Sequence, residues 1–198
     1  MKLTKLLERL DYKVVAGSDN IEITELVNDS RKVVPDSAFV CISGAVSDGH
    51  QYVKDVAEKG AAAVIVEKDV EVPEGLTVIK VENTRYALAL MSAAYFGYPA
   101  EKLKTIGITG TKGKTTTTYM VKAILEEVGH KVGLIGTIEA IIGDKTIPSN
   151  NTTPESYTIQ KYFAQMVEAG CDCVVMEVSS QGLMLHRTQG FVFDFGIF

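Results

Sequence analysis

Apolar residues recur along this chain in two rhythms. Leu3, Leu6, Leu7 and Leu10 fall at helical spacing and predict an amphipathic helix over residues 2–10. Short runs at 21–27, 38–42, 62–66 and 77–81 are too short for helices and rich in β-branched side chains, so they read as strands. Residues 52–59 predict a helix ending at Gly60. Asn83 caps a longer one, with Tyr86, Leu90, Ala93 and Ala94 on one face. It stops at Phe96-Gly97-Tyr98-Pro99, where glycine and proline end helices.

Past that stop the pattern becomes regular. Strands at 104–108, 132–135 and 172–178 alternate with helices at 114–128 and 154–169. Thr153-Pro154-Glu155 reads as a helix start, with Thr as N-cap and Pro at the first helical position. Strands separated by such helices imply a parallel sheet with helices on its faces. Residues 138–142 and 146–147, around Gly143-Asp144-Lys145, predict an inserted hairpin. Residues 191–198 read as another buried strand, and a stop on Phe-Asp-Phe-Gly-Ile-Phe suggests a piece of a longer protein. The expected fold class is α/β. A small N-terminal α/β domain over 1–98 precedes a P-loop-type parallel-sheet ATPase domain, truncated, over 99–198.

The candidate chemistry lies at the first strand-to-helix junction of the second half. Gly107, Gly110 and Gly113 punctuate it, and Lys112, Lys114, Thr115 and Thr116 follow or interleave. Glycines let backbone approach phosphates, turn N–H groups point at the anion, and the helix N-terminus adds its positive dipole end. Lys114 would reach the β- and γ-phosphates, and the Thr115 hydroxyl would ligate Mg²⁺. The match to the common P-loop pattern is incomplete, because position 108 is Ile where that pattern has Gly.

Composition narrows the alternatives. The chain is 46% hydrophobic and 23% charged, ordinary for a globular protein. Its net charge of −5 and lack of a basic run argue against nucleic-acid binding. No apolar run approaches the ~18–20 residues of a membrane span, and residues 1–10 alternate charge with leucine, unlike a signal peptide. Cys41, Cys171 and Cys173 cannot all pair internally, so free thiols in a reducing cytosol are expected. Cys-Asp-Cys is not a usual metal spacing, and no histidine stands near it in the sequence.

Three further groups stand out. Glu177 closes an apolar strand parallel to the loop strand, on the rim where open α/β sheets bind ligands, and there it can ligate Mg²⁺. Asn150-Asn151-Thr152-Thr153-Pro154 puts polar side chains at another strand-to-helix connection, suited to an anion or an amide-rich substrate as well as to capping. Arg187 is a candidate clamp for a phosphate or carboxylate, or a surface residue. His50, His130 and His186 show no metal spacing, and Ser179 and Ser180 have no partners for a hydrolytic triad.

In their order and spacing, residues 109–116, Asn151-Thr152-Thr153 and Met176-Glu177-Val178-Ser179-Ser180 resemble the Mur ligase family, in its MurE type. Asn28-Asp29-Ser30-Arg31, residues 43–49 and Ala61-Ala62-Ala63-Val64-Ile65 are similar to that type's N-terminal domain. The resemblance implies an ATP-dependent amide ligase of peptidoglycan synthesis. It would add a third amino acid, lysine or diaminopimelate, to UDP-N-acetylmuramoyl-L-alanyl-D-glutamate through an acyl phosphate. It implies that Gly110, Thr111, Lys112, Gly113, Lys114, Thr115 and Thr116 bind ATP, and that Thr115 and Glu177 hold Mg²⁺. Lys114 and Glu177 would carry the catalysis. Ser30, Asn151, Thr152, Thr153, Ser179 and Arg187 would contact the UDP-muramoyl dipeptide. Family members commonly have Asn at Lys112, His at Gln181 and Gln at Leu185. The family's modified lysine and third domain would lie beyond Phe198, so this chain is expected to be inactive alone, and the full-length protein a cytoplasmic monomer. A nucleotide-binding regulatory or assembly module stays open, as does a MurF- or folylpolyglutamate-type ligase.

Overall fold

The computed structural model describes residues 1–44 and 47–198. Ala45 and Val46, part of the loop likened above to the N-terminal domain, lie outside the described residues. The chain divides into two compact units, Met1–Tyr95 and Phe96–Phe198, each with its own sheet.

In the first unit, α1 (Leu3–Leu6) and β1 (Lys13–Ala16) precede β2 (Leu26–Val27) and β3 (Ala38–Val40). Then come α2 (Val53–Glu58), β4 (Ala63–Val66), β5 (Thr77–Lys80) and α3 (Thr84–Tyr95). The sheet order is β1-β5-β4-β3-β2, parallel except for β1. One core gathers Phe39, Val53, Val56, Val64, Val66 and Val78. Leu3, Leu6, Leu7, Leu88 and Met91 are each at most 1% exposed. Asn83 caps α3 as expected, its side-chain oxygen accepting from Tyr86 N at 2.9 Å.

Two expectations change here, and one strand adds to them. The first helix is one turn, not residues 2–10, because Leu7 already closes it. The run 21–27 is strand only at Leu26–Val27, since Leu3 N bonds Ile21 O and Ile23 N bonds Met1 O instead of extending a ladder. The missed strand β1 is a half-exposed antiparallel edge, and its Lys-Val-Val-Ala shows no alternation to betray it.

The second unit holds β6 (Lys104–Ile108), α4 (Lys114–Glu127), β7 (Val132–Ile135), β8 (Glu139–Ile142) and β9 (Lys145–Pro148). They are followed by α5 (Ser156–Glu168), β10 (Cys173–Glu177), α6 (Ser180–Met184) and β11 (Phe195–Ile197). The sheet order is β11-β6-β10-β7-β8-β9. The first four strands are parallel, and β8 and β9 form the expected antiparallel hairpin. One face packs Ile135, Ile159, Phe163, Met166, Val174 and Met176 under α5. The other packs Ile106, Ile108, Val132 and Val175 against Val121 and Leu125 of α4. β11 is not the buried strand expected at 191–198. It pairs with β6 on one side only, and Phe195 is 59% exposed.

Candidate functional site

The turn after β6 takes its shape from two glycines. Gly110 has φ 135° and Gly113 has φ 81°, conformations that a side chain would strain. Gly113 is the N-cap of α4 and offers no side-chain oxygen, so the first N–H groups of the helix face the turn without a cap. Gly107, grouped with these glycines from the sequence, serves packing instead. It lies within β6, and a Cβ there would meet the Phe193 ring at 3.0–3.1 Å. Lys114 folds its amine back onto Gly110 O at 2.7 Å, while Thr111, Lys112 and Thr116 are exposed.

Glu177 ends β10, between β6 and β7, and is 1% exposed. Both oxygens of its carboxylate accept hydrogen bonds. Thr115 Oγ1 donates to Oε2 at 3.0 Å, Thr137 Oγ1 to Oε2 at 3.0 Å, and Thr137 N to Oε1 at 2.8 Å. A Cβ on Gly136 would sit 2.5 Å from Oε1, so only glycine lets the carboxylate lie there. Gly136-Thr137 was not foreseen as part of the site. The available signal was its place directly after the apolar strand β7, on the carboxyl edge of the sheet. The loop, Thr137, Thr152 and Glu177 enclose a cleft of about 370 Å³.

A second cleft of about 270 Å³ adjoins it and shares Thr137 and Thr152. Asn150, Asn151, Thr153, Ser179, Gln181 and Arg187 complete its walls. Thr153 is not the N-cap expected of it. α5 starts at Ser156 with Glu155 as N-cap, because the Thr153 hydroxyl is spent on long-range bonds. It donates to Glu177 O at 3.0 Å and accepts from Ser179 N at 2.9 Å, tying this loop to the end of β10. The Ser179 hydroxyl accepts from Gly182 N and caps α6. Arg187 spends two of its N–H groups within the protein, on Thr153 O at 3.0 Å and Glu155 Oε1 at 2.6 Å, and its buried Nε–H has no partner among the described residues. Ser30 is in the first unit, opening a 3₁₀ turn after Asp29.

Thr115 and Glu177 suit a hard divalent cation. A hydroxyl and a carboxylate side by side at the phosphate turn are the oxygen donors Mg²⁺ takes when it also binds nucleotide phosphates. A different cluster corrects the sequence reading. His130 does stand beside Cys-Asp-Cys, with Nδ1 2.7 Å from Asp172 Oδ2, and the donor atoms of His130, Asp172 and Cys173 lie within 4.8 Å of one another. It sits at the start of β10, the opposite end of that strand from Glu177. Asp172 is engaged there by the imidazole and by Lys131 N at 3.0 Å, and burial pushes the Cys173 thiol up to about 11.

A parallel-rich α/β sheet with a glycine turn, Lys-Thr and a helix at its carboxyl edge is a fold of the phosphate-loop type. The Mur ligase middle-domain model matches residues 108–198, and the Mur ligase family catalytic-domain model matches 22–96. The chain belongs to the Mur ligase family. It is 49% identical over its whole length to UDP-N-acetylmuramoyl-L-alanyl-D-glutamate--2,6-diaminopimelate ligase of Clostridium perfringens, and covers 41% of that protein. It is 50% identical to such a ligase of Clostridium acetobutylicum, again with 100% of this chain and 41% of the relative covered. The chain thus spans about 41% of the length of these relatives. A solved structure of a ligase of that name superposes with a TM-score of 0.82 at 20% identity, over 99% of this chain and 39% of the other, a likeness of fold. MurF from Acinetobacter baumannii superposes at 0.59 and 22% identity, over 90% of this chain and 36% of the other.

Proposed function

We propose that the whole protein is an ATP-dependent ligase. It joins 2,6-diaminopimelate to UDP-N-acetylmuramoyl-L-alanyl-D-glutamate, the substrates in the names of the relatives. The observation that carries this reading is the adjacency of the two clefts across Thr137 and Thr152. A phosphate donor in one cleft and a carboxylate acceptor in the other would lie in reach of each other, which is what phosphoryl transfer needs most. Residues 1–98 are assigned to the UDP end of the acceptor, with Ser30 in contact, and 99–198 to the nucleotide.

The turn N–H groups of residues 110–116 cradle the triphosphate, and Lys114 leaves Gly110 O to neutralise its β/γ end. Asn151, Thr152 and Ser179 orient the acceptor, on a wall that Thr153 and Arg187 hold in shape through their own hydrogen bonds. Its carboxylate oxygen attacks the γ-phosphorus, ADP leaves, and an acyl phosphate forms. The amine of the incoming amino acid then attacks the acyl carbon, loses a proton and expels phosphate. Thr115 and Glu177 would hold Mg²⁺, which neutralises phosphate charge when bound.

Phosphate release by the full-length protein tests the reading. It is expected to need ATP, Mg²⁺, the UDP-muramoyl dipeptide and diaminopimelate together. Nucleotide binding with no release in that mixture would instead favour a regulatory module.

A further inference from the structure

The bonds around Thr137 have a fixed direction. A carboxylate has no hydrogen to give, so the Thr137 hydroxyl donates to Glu177 Oε2 at 3.0 Å. Its single hydrogen is thereby spent. Thr137 Oγ1 also lies 3.0 Å from Thr152 Oγ1, and in that pair Thr137 must accept and Thr152 must donate. A directed chain of hydroxyls therefore runs from the second cleft to the carboxylate of the first. Thr137 and Thr152 both face the two clefts, whereas Glu177 lines only the first.

We propose that Thr137 is a positioning residue that couples occupancy of the acceptor cleft to binding of Mg²⁺-nucleotide at Glu177. This rests on the ligase reading given above. An anionic acceptor that takes the Thr152 hydrogen turns that hydroxyl around and presents its oxygen to Thr137. The Thr137 hydrogen then has a second acceptor and can leave Oε2. Glu177 keeps the Thr137 backbone N–H on Oε1, so its position holds while Oε2 gains a lone pair for the cation. No proton changes owner, and only hydrogen-bond directions turn. The acceptor thereby strengthens Mg²⁺-nucleotide binding, and the nucleotide strengthens acceptor binding by the same factor.

Thr137→Val keeps shape and backbone N–H and deletes only the hydroxyl. Thr137→Ser keeps the hydroxyl. Titration calorimetry on the full-length protein would use a non-hydrolysable ATP analogue with Mg²⁺, with and without saturating UDP-muramoyl dipeptide. The wild type is expected to bind the analogue at least about fivefold tighter with the dipeptide present. Thr137→Ser should keep that ratio, and Thr137→Val should bring it to about one. Thr152→Val cuts the same chain and should lower the ratio equally, with no further loss in the double variant, so the test survives a Thr137→Val protein that does not fold. A wild-type ratio retained by either valine variant overturns the coupling and leaves the ligase reading standing. A wild-type ratio near one also overturns it. A protein that binds neither ligand overturns both.

Discussion

Lys114 and Lys112 stand two residues apart, yet the fold treats them differently. Lys114 reaches back into the turn at Gly110 O, whereas Lys112 is exposed at its rim. In the full-length protein Lys114→Ala is expected to weaken nucleotide binding by roughly 10- to 100-fold, the worth of a charge-assisted hydrogen bond. Lys112→Asn should cost less, and equal losses in a binding titration would show the two roles to be misassigned. Asp48 offers a pH test in the first unit. Hydrogen bonds from Lys68 Nζ at 2.7 Å and from His50 hold its carboxyl well below the ordinary 3.8. The His50 ring is oriented for this, because its Nε2 accepts from Glu67 N at 3.1 Å. A depressed folded pKa means that the stabilisation is fully present above 3.8 and is lost as pH falls below it. Melting curves from pH 6 downward should therefore steepen in their decline below about pH 4, and Asp48→Asn should flatten that decline. An identical acid limb in the variant would remove Asp48 from the account.

At the scale of elements, the link from the 150–153 loop to the end of β10 runs through Thr153. Its hydroxyl serves Glu177 O and Ser179 N, and the residue is 1% exposed. Thr153→Val strands both groups and should cost about 1–3 kcal/mol, visible as a lowered melting temperature. A variant that melts with the wild type would mean that water replaces the hydroxyl. This residue also marks a boundary of what could be read from the sequence. Thr-Pro-Glu is a sound local cap signal, but the hydroxyl went to a strand end 24 residues away, and no local pattern records such a partner. The strands β6 and β7 were legible to the residue, since β7 is a run buried throughout and β6 is buried after the exposed Lys104, as parallel strands covered on both faces are. The antiparallel edge β1 lacks that signature, being half solvated. Glu177 was visible as an acid closing an apolar strand. Thr137, which holds it, is an ordinary polar residue until β7 and β10 are paired.

At the scale of the whole molecule, a ligand that binds only the folded state adds RT ln(1 + [L]/Kd) to stability, about 2.7 kcal/mol at a hundredfold excess over Kd. Mg²⁺-nucleotide should supply this to the unit 96–198, with hydrogen-exchange protection gained at 110–116 and around Thr137. Gains centred elsewhere would relocate the nucleotide. The buried cysteines add a measurement that needs no engineering. Cys41, Cys171 and Cys173 are 0%, 6% and 3% exposed, and all are free thiols. Burial raises the Cys41 thiol to about 12 and the Cys173 thiol to about 11, so little reactive thiolate exists at neutral pH. The folded protein should therefore be nearly silent to alkylating reagents. Cys41 belongs to one unit and the other two to the second, so the mass added during a short alkylation pulse timestamps the opening of each half separately.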